Sequence, residues 1–187
     1  MSGMSDRYHR SMLLFGAEGQ QRLCETSVLL VGAGGLGSPF AQHLALLGVK
    51  RVMAADAEEL DETNRNRFVG ARFDDPVPGS AKVDLVCRTV KEINPEVDVQ
   101  PLPFNLVSAE VFAAAREADW IVGCFDKDGP RAILNELSAV YDKPYIDLAS
   151  DVPEPGIYGG RVSQWQRLLG VYGVTRPPRG STLLRNS

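Results

Sequence analysis

The 187-residue chain has few cysteines, only two histidines and no long hydrophobic run. Its three cysteines are widely spaced and odd in number, which argues against a disulfide framework and against a closed zinc site built from its own thiols. No run of about 18 apolar residues is present, so we expect no transmembrane helix. The polar segment Met1–Arg10 does not resemble a signal peptide. We therefore expect a protein of the reducing cytoplasm that does not bind membranes.

Acidic residues are absent from the end of the chain. All 24 of them lie at or before Glu154, whereas residues 156–187 contain five arginines and no acid. The acidic body argues against a broad nucleic-acid-binding surface, and we expect no nucleic-acid partner. With 44% hydrophobic residues, the chain is long enough to form one domain with its own core.

Strand and helix patterns alternate through the body, which predicts an α/β fold with a doubly wound, mostly parallel sheet. A helical arm over Arg7–Gln21 precedes this body. The predicted strands are Ser27–Val31, Val49–Ala55, Val97–Phe104, Trp120–Cys124 and Tyr145–Ala149. The predicted helices are Ser38–Leu47, Ser80–Ile93, Ala109–Ala118 and Arg131–Tyr141. Pro101 and Pro103 favour an edge position for the third strand.

A glycine-rich segment joins the first strand to the first body helix. Gly32, Gly34 and Gly37 match the G-x-G-x-x-G pattern, in which the backbone closely approaches a phosphate at a helix N-terminus. Asp56 ends the next strand, at a spacing typical of a ribose-binding carboxylate. The pattern favours nucleotide binding over a tight turn without a ligand. At this point an NAD-dependent oxidoreductase is the leading alternative.

The polar residues that follow favour phosphate chemistry instead. Asn64 and Arg67 share a face if they lie on one helical turn, although a solvated loop also explains them. Lys82 lies in a first helical turn, where a bound polyphosphate would offset its unfavourable position; a side chain in solvent is the alternative. Asp126 follows a buried strand and could hold Mg²⁺, or could simply form a turn.

Together these motifs resemble the ubiquitin-activating superfamily, most closely its prokaryotic ThiF-type branch. The resemblance extends from Arg7 to about Val162. The segments that match the family are Arg7–Arg10, Gly32–Gly37, Asp56, Asn64–Arg67, Gly79–Val83, Ile93–Pro95, Cys124–Asp126 and Gly159–Val162. It implies a Rossmann-like ATP-binding domain, and an enzyme that adenylates the C-terminal glycine of a ubiquitin-like sulfur carrier ending in Gly-Gly, in thiamine or molybdopterin synthesis.

The resemblance also implies roles for individual residues. The residues expected to bind the nucleotide are Gly32, Gly34, Gly35, Gly37, Asp56, Asn64, Arg67, Lys82, Asp126 and Lys127. Those expected to be catalytic are Arg10, Arg67, Lys82 and Asp126, with Asp126 holding Mg²⁺. Arg10 matches an arginine that reaches the partner subunit's ATP, so a homodimer is implied. Lys127 departs from the family, which usually has asparagine there.

The implied reaction needs no general base, because a carboxylate is already ionised at neutral pH. This suits a chain in which we interpret both His9 and His43 as structural. Three alternatives stay open: a truncated, non-catalytic member that binds nucleotide weakly or only dimerises, an NAD-dependent oxidoreductase, and the related tRNA-modifying dehydratase branch. No hydride-handling residue supports the second of these.

The end of the sequence departs from the family. We divide the chain into an arm (1–26), an ATP-binding domain (27–162) and a basic tail (163–187). The family's structural zinc is expected on Cys-x-x-Cys pairs that this tail lacks. We interpret the tail as translated in a shifted frame, since reading Gly170–Val174 from the third codon base permits Cys-Leu-Arg-Cys. A genuine short variant with a basic arm is the alternative.

Overall fold

A computed structural model describes residues 6–165 of the chain. Its helices are α1 (His9–Glu25), α2 (Gly37–Leu47), α3 (Lys82–Ile93), α4 (Ala109–Glu117) and α5 (Asp128–Tyr141), with short 3₁₀ helices at Asp6–Tyr8 and Glu62–Asn64. Its strands are β1 (Ser27–Val31), β2 (Arg51–Ala55), β3 (Asp98–Leu102), β4 (Trp120–Gly123), β5 (Tyr145–Glu154) and β6 (Ile157–Trp165). None of these helices has the length and hydrophobicity needed to span a membrane.

The six strands form one sheet in the order β3-β2-β1-β4-β5-β6. All pairs are parallel except β5 with β6, which are antiparallel. The order reverses direction between β1 and β4, and ligands bind outside the carboxyl ends of the strands at such a point. The prediction of a doubly wound, mostly parallel sheet is confirmed, with β3 at an edge as its prolines indicated.

Helices cover both faces of the sheet, and each face has its own core. On one face, α2 and α3 contribute Leu44, Val83 and Val86 to a buried cluster. On the other, α4 and α5 contribute Val111 and Leu134. The central strands β1, β2 and β4 are buried on both sides, which explains their continuous apolar runs.

The N-terminal arm packs where the strands begin. Tyr8 is buried, and its hydroxyl accepts a hydrogen bond from the Asn94 side chain at 3.1 Å. A Cβ at Gly48 would lie 2.1 Å from that hydroxyl, so only glycine admits Tyr8 here. Gly48 and Asn94 end α2 and α3, and helices between parallel strands end where the next strands start. Gly16, with φ of 75°, interrupts α1.

Several element boundaries differ from the sequence expectations. Helix α3 begins at Lys82 rather than Ser80, because residues 80–82 pair with residues 58–60 instead: the Leu60 N–H donates to the Ser80 carbonyl at 2.7 Å. Strand β2 begins at Arg51 rather than Val49, since the left-handed Gly48 and the residues after it complete the end of α2.

The β5–β6 hairpin is the largest addition to the expected elements. Strand β5 continues past Ala149 to Glu154, and Gly156, with φ of 82°, turns the chain into β6. Strand β6 was not predicted, because its adjacent glycines have low strand propensity. The expected boundary at 162/163 falls inside β6, which continues to Trp165, where the indole stacks on Tyr145 with ring centroids 5.3 Å apart. The rest of the predicted tail lies outside the described residues.

Candidate nucleotide-binding site

The glycine-rich segment forms a tight connection between β1 and α2. Gly32 has φ of 93°, and a Cβ on it would lie 2.7 Å from the carbonyl oxygen of Cys124. A Cβ on Gly37 would lie 1.8 Å from the carbonyl oxygen of Gly32. These two glycines therefore let the loop fold back on itself and onto the end of β4.

The loop leaves backbone donors unused beside the N-terminus of α2. The amides of Gly34, Gly35 and Leu36 have no acceptor among residues 6–165. The Gly34 carbonyl meanwhile accepts from both the amide and the hydroxyl of Ser38, which fixes the loop on the helix. Free amides at a helix N-terminus suit an anionic ligand.

Asp56 connects this loop to the segment that follows β2. One of its carboxylate oxygens accepts from the Ala33 amide and the other from the Glu58 amide, each at 2.8 Å. The carboxylate is therefore fixed at the carboxyl edge of the sheet. Its remaining lone pairs are available to a ligand hydroxyl, as the ribose-binding hypothesis requires.

Asn64 and Arg67 lie at and just after a 3₁₀ turn in the crossover between β2 and α3. The Asn64 carbonyl accepts from the amides of Arg67 and Phe68, so its backbone fixes the start of the Arg67 side chain. The Arg67 guanidinium donates to the Thr63 carbonyl at 2.6 Å. A Cβ on Gly35 would lie 3.0 Å from Arg67 Cδ, so this glycine leaves room for the arginine stem.

Lys82 begins α3 and forms an ion pair with Glu58. Its Nζ lies 2.5 Å from the Glu58 carboxylate, and its backbone amide donates to the Glu58 carbonyl at 3.0 Å. The lysine side chain is only 8% exposed, while that of Glu58 is 74% exposed. The alternative that Lys82 extends into solvent is therefore wrong, because the paired segments 58–60 and 80–82 enclose it.

Asp126 and Lys127 lie in the segment between β4 and α5, and both are exposed. No side chain or backbone group within residues 6–165 pairs with the Asp126 carboxylate. Mg²⁺ in nucleotide sites is usually held by one or two carboxylates together with the substrate phosphates. A single unpaired carboxylate beside the glycine loop fits that donor set.

These residues surround one cavity of about 400 Å³ at the carboxyl edge of β1, β2 and β4. Its lining comprises Gly32, Gly34, Gly35, Leu36, Asp56, Glu58, Asn64, Arg67, Lys82, Cys124, Phe125, Asp126, Lys127 and Ser150. The structure thus brings together every predicted nucleotide-binding residue except Gly37, which packs beneath the loop. Arg10 is exposed on α1 and does not line the cavity.

Sequence reasoning missed part of this lining. Glu58 belongs to the polar segment after β2, but nothing in its spacing indicated a pair with Lys82. Ser150 extends the cavity from β5 and was detectable in principle, since the carboxyl ends of neighbouring parallel strands lie at one edge. Phe125 and Cys124 belong to a motif noted in the sequence, but neither was assigned to the site.

Cysteines and histidines add no reactive group to the cavity. Burial raises the pKa of the Cys124 thiol to about 12 and that of Cys87 to about 11, so both stay protonated at neutral pH. Cys124 nevertheless lines the cavity. His43 hydrogen-bonds the Pro39 carbonyl at 2.7 Å on its own helix, and His9 is exposed on the arm.

An ion pair fixes the crossover that carries Asn64 and Arg67. The Arg88 guanidinium on α3 donates to both oxygens of Asp75, at 2.6 and 2.7 Å, and to the Gly70 carbonyl at 2.7 Å. Arg65 donates to the Asp75 carbonyl at 2.8 Å. Hydrogen bonds from Arg88 hold the pKa of Asp75 at about 2, so its carboxylate is ionised throughout the physiological range.

A doubly wound sheet with this cavity at its reversal point defines a nucleotide-binding α/β domain. The ThiF family model matches residues 8–154, and the chain belongs to that family. A sulfur carrier protein adenylyltransferase of Thermus thermophilus is 35% identical over 143 residues, 75% of this chain and 52% of that protein. The SAMP-activating enzyme E1 of Haloferax volcanii is 34% identical over 75% of this chain and 52% of its own length.

Solved structures show the same architecture. A tRNA N6-threonylcarbamoyladenosine dehydratase of E. coli, in complex with ATP, superposes with a TM-score of 0.68 at 25% identity, over 78% of this chain and 61% of that one. E. coli MccB reaches a TM-score of 0.71 at 23% identity, over 87% of this chain and 49% of that one. The chain spans about half the length of these curated relatives.

Proposed function

We propose that this chain transfers AMP from Mg²⁺-bound ATP to the C-terminal glycine carboxylate of a ubiquitin-like sulfur carrier. The observation that supports the proposal most directly is the combination around one cavity of the free loop amides, Arg67, Lys82 and the unpaired Asp126. Relatives at 34–35% identity are named as a sulfur carrier adenylyltransferase and a SAMP-activating E1. Thiamine and molybdopterin synthesis are the pathway types in which such carriers act.

The two ends of the nucleotide are assigned to different residues. Asp56, fixed by the Ala33 and Glu58 amides, would accept hydrogen bonds from the ribose hydroxyls. The free amides of the glycine loop would bind phosphate oxygens at the start of α2. Asn64 and Lys127 would complete the polar lining, with Lys127 adding a positive charge.

The reaction forms a bond between a carrier carboxylate oxygen and the α-phosphorus of ATP, and breaks the bond between that phosphorus and the oxygen bridging to the β-phosphate. Pyrophosphate leaves with the electron pair of the broken bond. Arg67 and Lys82 would stabilise negative charge on the phosphoryl oxygens, from positions already fixed in the free protein. The attacking carboxylate is ionised at neutral pH, so no proton must be removed. Asp126 would hold Mg²⁺, which neutralises charge on the phosphates when bound.

Arg10 would act in the second subunit of a homodimer. Its helix follows Tyr8, which is fixed at the ends of α2 and α3, on the edge of the sheet opposite the cavity. A five-residue parallel strand is about 16 Å long, so Arg10 starts roughly that far from the cavity of its own chain. The neighbouring Leu13 and Leu14 are 75% and 76% exposed, as residues that contact a second copy would be.

ATP–pyrophosphate exchange tests the proposal. The chain is assayed with Mg²⁺ and a carrier ending in Gly-Gly, beside Asp126→Ala and Lys82→Ala. We expect exchange that requires the carrier and that both variants lose. Asp74→Ala and Lys91→Ala serve as matched controls, because both residues are exposed and lie outside the cavity lining; both should retain exchange.

Other outcomes of this assay, and of nucleotide-binding measurements, distinguish the alternative functions. Exchange with the Gly-Gly carrier replaced by a tRNA that contains N6-threonylcarbamoyladenosine would favour the dehydratase-type substrate. ATP binding by a folded chain without any exchange would favour the non-catalytic alternative. Binding of NAD in preference to ATP would contradict the proposal altogether.

A further inference from the structure

A buried carboxylate lies behind the cavity and takes no part in the proposed reaction. Asp147 on β5 is 1% exposed. It accepts a hydrogen bond from the Tyr145 hydroxyl at 3.2 Å, and its two oxygens lie 3.4 Å from Arg131 Nε and 3.3 Å from an Arg161 nitrogen. A buried charge persists only when it is paired, so this cluster is held together by its own electrostatics. Arg161 belongs to the Gly159–Val162 motif, which the proposed function leaves without a role.

Each partner of Asp147 presents a hydrogen-bond donor or a positive charge to its carboxylate. Burial, and then the Asp147 charge, raises the pKa of Tyr145 well above its ordinary value, so the phenol remains a hydrogen-bond donor. The two guanidinium groups are charged at every accessible pH. These contacts fix the Asp147 carboxylate in the sheet, where an arginine can be positioned against it.

Arg131 connects this fixed point to the segment that carries Asp126. It lies in the first turn of α5 and is 15% exposed. Its Nη2 donates to the Phe125 carbonyl at 2.5 Å, and its Nη1 lies 3.5 Å from the Asp128 carboxylate. One planar group thus contacts the residues just before and just after Asp126 and Lys127, while its third nitrogen faces the sheet.

The position of Asp126 depends on this contact, because no group in the described part of the chain binds its carboxylate. Its carboxylate has no partner among residues 6–165, so the backbone of residues 125–127 alone sets its direction. The preceding anchor is the Cys124 amide, which donates to the Val31 carbonyl at 2.9 Å. Beyond Cys124, the Arg131 contact with Phe125 is the next hydrogen bond in the described part of this segment.

We propose that Arg131, anchored by buried Asp147, is a positioning residue that aims the Asp126 carboxylate at the metal–nucleotide complex. The inference rests on the proposed function. It assigns a role to residues that do not line the cavity and that touch neither the nucleotide nor the carrier. Loss of such an outer contact typically weakens metal affinity by about 10-fold to 100-fold.

Nucleotide binding with and without Mg²⁺, measured by titration calorimetry, tests this role without relying on turnover. We expect Arg131→Met to weaken binding of Mg²⁺–ATP by about 10-fold and to leave binding of metal-free ATP, in EDTA, unchanged. Arg116→Met is the matched control, since Arg116 is exposed on α4 and does not line the cavity. Asp147→Asn, which keeps the side-chain shape, should shift binding in the same direction and provides the test if Arg131→Met does not fold.

A double variant distinguishes a positioning role of Arg131 from general damage to the protein. If Arg131 acts through Asp126, then Arg131→Met combined with Asp126→Asn binds Mg²⁺–ATP no more weakly than Asp126→Asn alone. Wild-type Mg²⁺–ATP affinity in Arg131→Met, or an equal loss with and without Mg²⁺, would overturn the inference and leave the proposed function intact. Absence of ATP binding by the wild-type chain would instead overturn the proposed function, and this inference with it.

Discussion

Lys82 and Glu58 form an unequal ion pair, and their difference in burial predicts how the site opens to a ligand. The lysine is enclosed by two paired segments, whereas most of the glutamate side chain is exposed. An arriving phosphate can therefore displace Glu58 into solvent but cannot displace Lys82. If the nucleotide phosphates bind Lys82, as the proposed function requires, the removal of Glu58 from Lys82 is part of the free-energy cost of nucleotide binding.

Glu58→Gln should consequently tighten ATP binding. The substitution removes a competing charge and keeps the side-chain shape. Partly exposed ion pairs contribute at most about 1 kcal/mol, so we expect the Kd for ATP to fall by up to about fivefold. Titration calorimetry at fixed ionic strength measures the change. Glu59→Gln is the control, since Glu59 is adjacent, exposed and outside the cavity lining. Weaker binding by Glu58→Gln would mean that the glutamate supports the bound state instead.

For single residues, the sequence predicted the position of those that belong to a motif with a fixed geometry. The glycine pattern, Asp56 and Asp126 were located from their positions at strand ends, which the parallel fold brings together. The Lys82–Glu58 pair and the Arg131–Phe125 contact were not predictable, because each joins residues whose approach depends on side-chain direction and on irregular backbone. Periodicity carries no information about such contacts.

Among the elements, the long crossover between β2 and α3 is the one whose shape depends most on charge. Asp75 and Arg88 fasten it to α3, and Arg65 adds a bond to the Asp75 carbonyl. Asp75→Asn should lower the free energy of unfolding at neutral pH by about 2 kcal/mol, since hydrogen bonds to a charged group are lost. Asp74→Asn is the matched control, because Asp74 is adjacent and exposed. Chemical denaturation measures both.

The same ion pair predicts a pH dependence. The pKa of Asp75 is about 2 in the folded protein, against an ordinary value of 3.8. Between these values the unfolded chain binds more protons, so the stabilisation is complete above about pH 4 and is lost as the pH falls towards 2. The melting temperature of the wild type should thus fall more steeply over this interval than that of Asp75→Asn. Parallel curves would contradict the assignment.

Regular elements were predictable, and irregular ones were not. Buried apolar runs gave the parallel strands, and helical spacing gave α2 to α5, because both patterns follow from burial of one surface. The extended pairing of residues 58–60 with 80–82 delayed the start of α3, and no local signal marks such long-range pairing. The continuation of β5 past Ala149 and the whole of β6 were missed. Their side chains are mostly exposed and β6 contains two glycines, so neither segment has the pattern of a buried strand.

For the whole molecule, the role proposed for Arg10 in a homodimer predicts that active sites are shared between subunits. An Arg10→Ala chain would retain its own cavity, and a Lys82→Ala chain would retain its own Arg10. Neither variant alone should catalyse exchange. Mixed in equal amounts and allowed to re-associate, they should recover roughly a quarter of wild-type activity, because half of the dimers then contain one complete site of two.

Two outcomes of the mixing experiment would contradict this prediction. If Arg10→Ala alone keeps wild-type exchange, the arginine has no role in either subunit. If both variants are inactive and the mixture stays inactive although mixed dimers are detected by native mass spectrometry, Arg10 does not act across the interface. An inactive mixture of Lys82→Ala and Asp126→Ala provides the reference, since both residues belong to the same cavity.

The most direct test of the account is the covalent state of the carrier after a single turnover. The chain is mixed with Mg²⁺–ATP and a Gly-Gly carrier, quenched in acid and examined by intact mass spectrometry, with pyrophosphatase present to prevent reversal. The account predicts a carrier increased in mass by one AMP, formed by the wild type and absent with Asp126→Ala. Release of ADP and orthophosphate without an AMP adduct would show that the β–γ bond is cleaved instead, and would contradict the central claim.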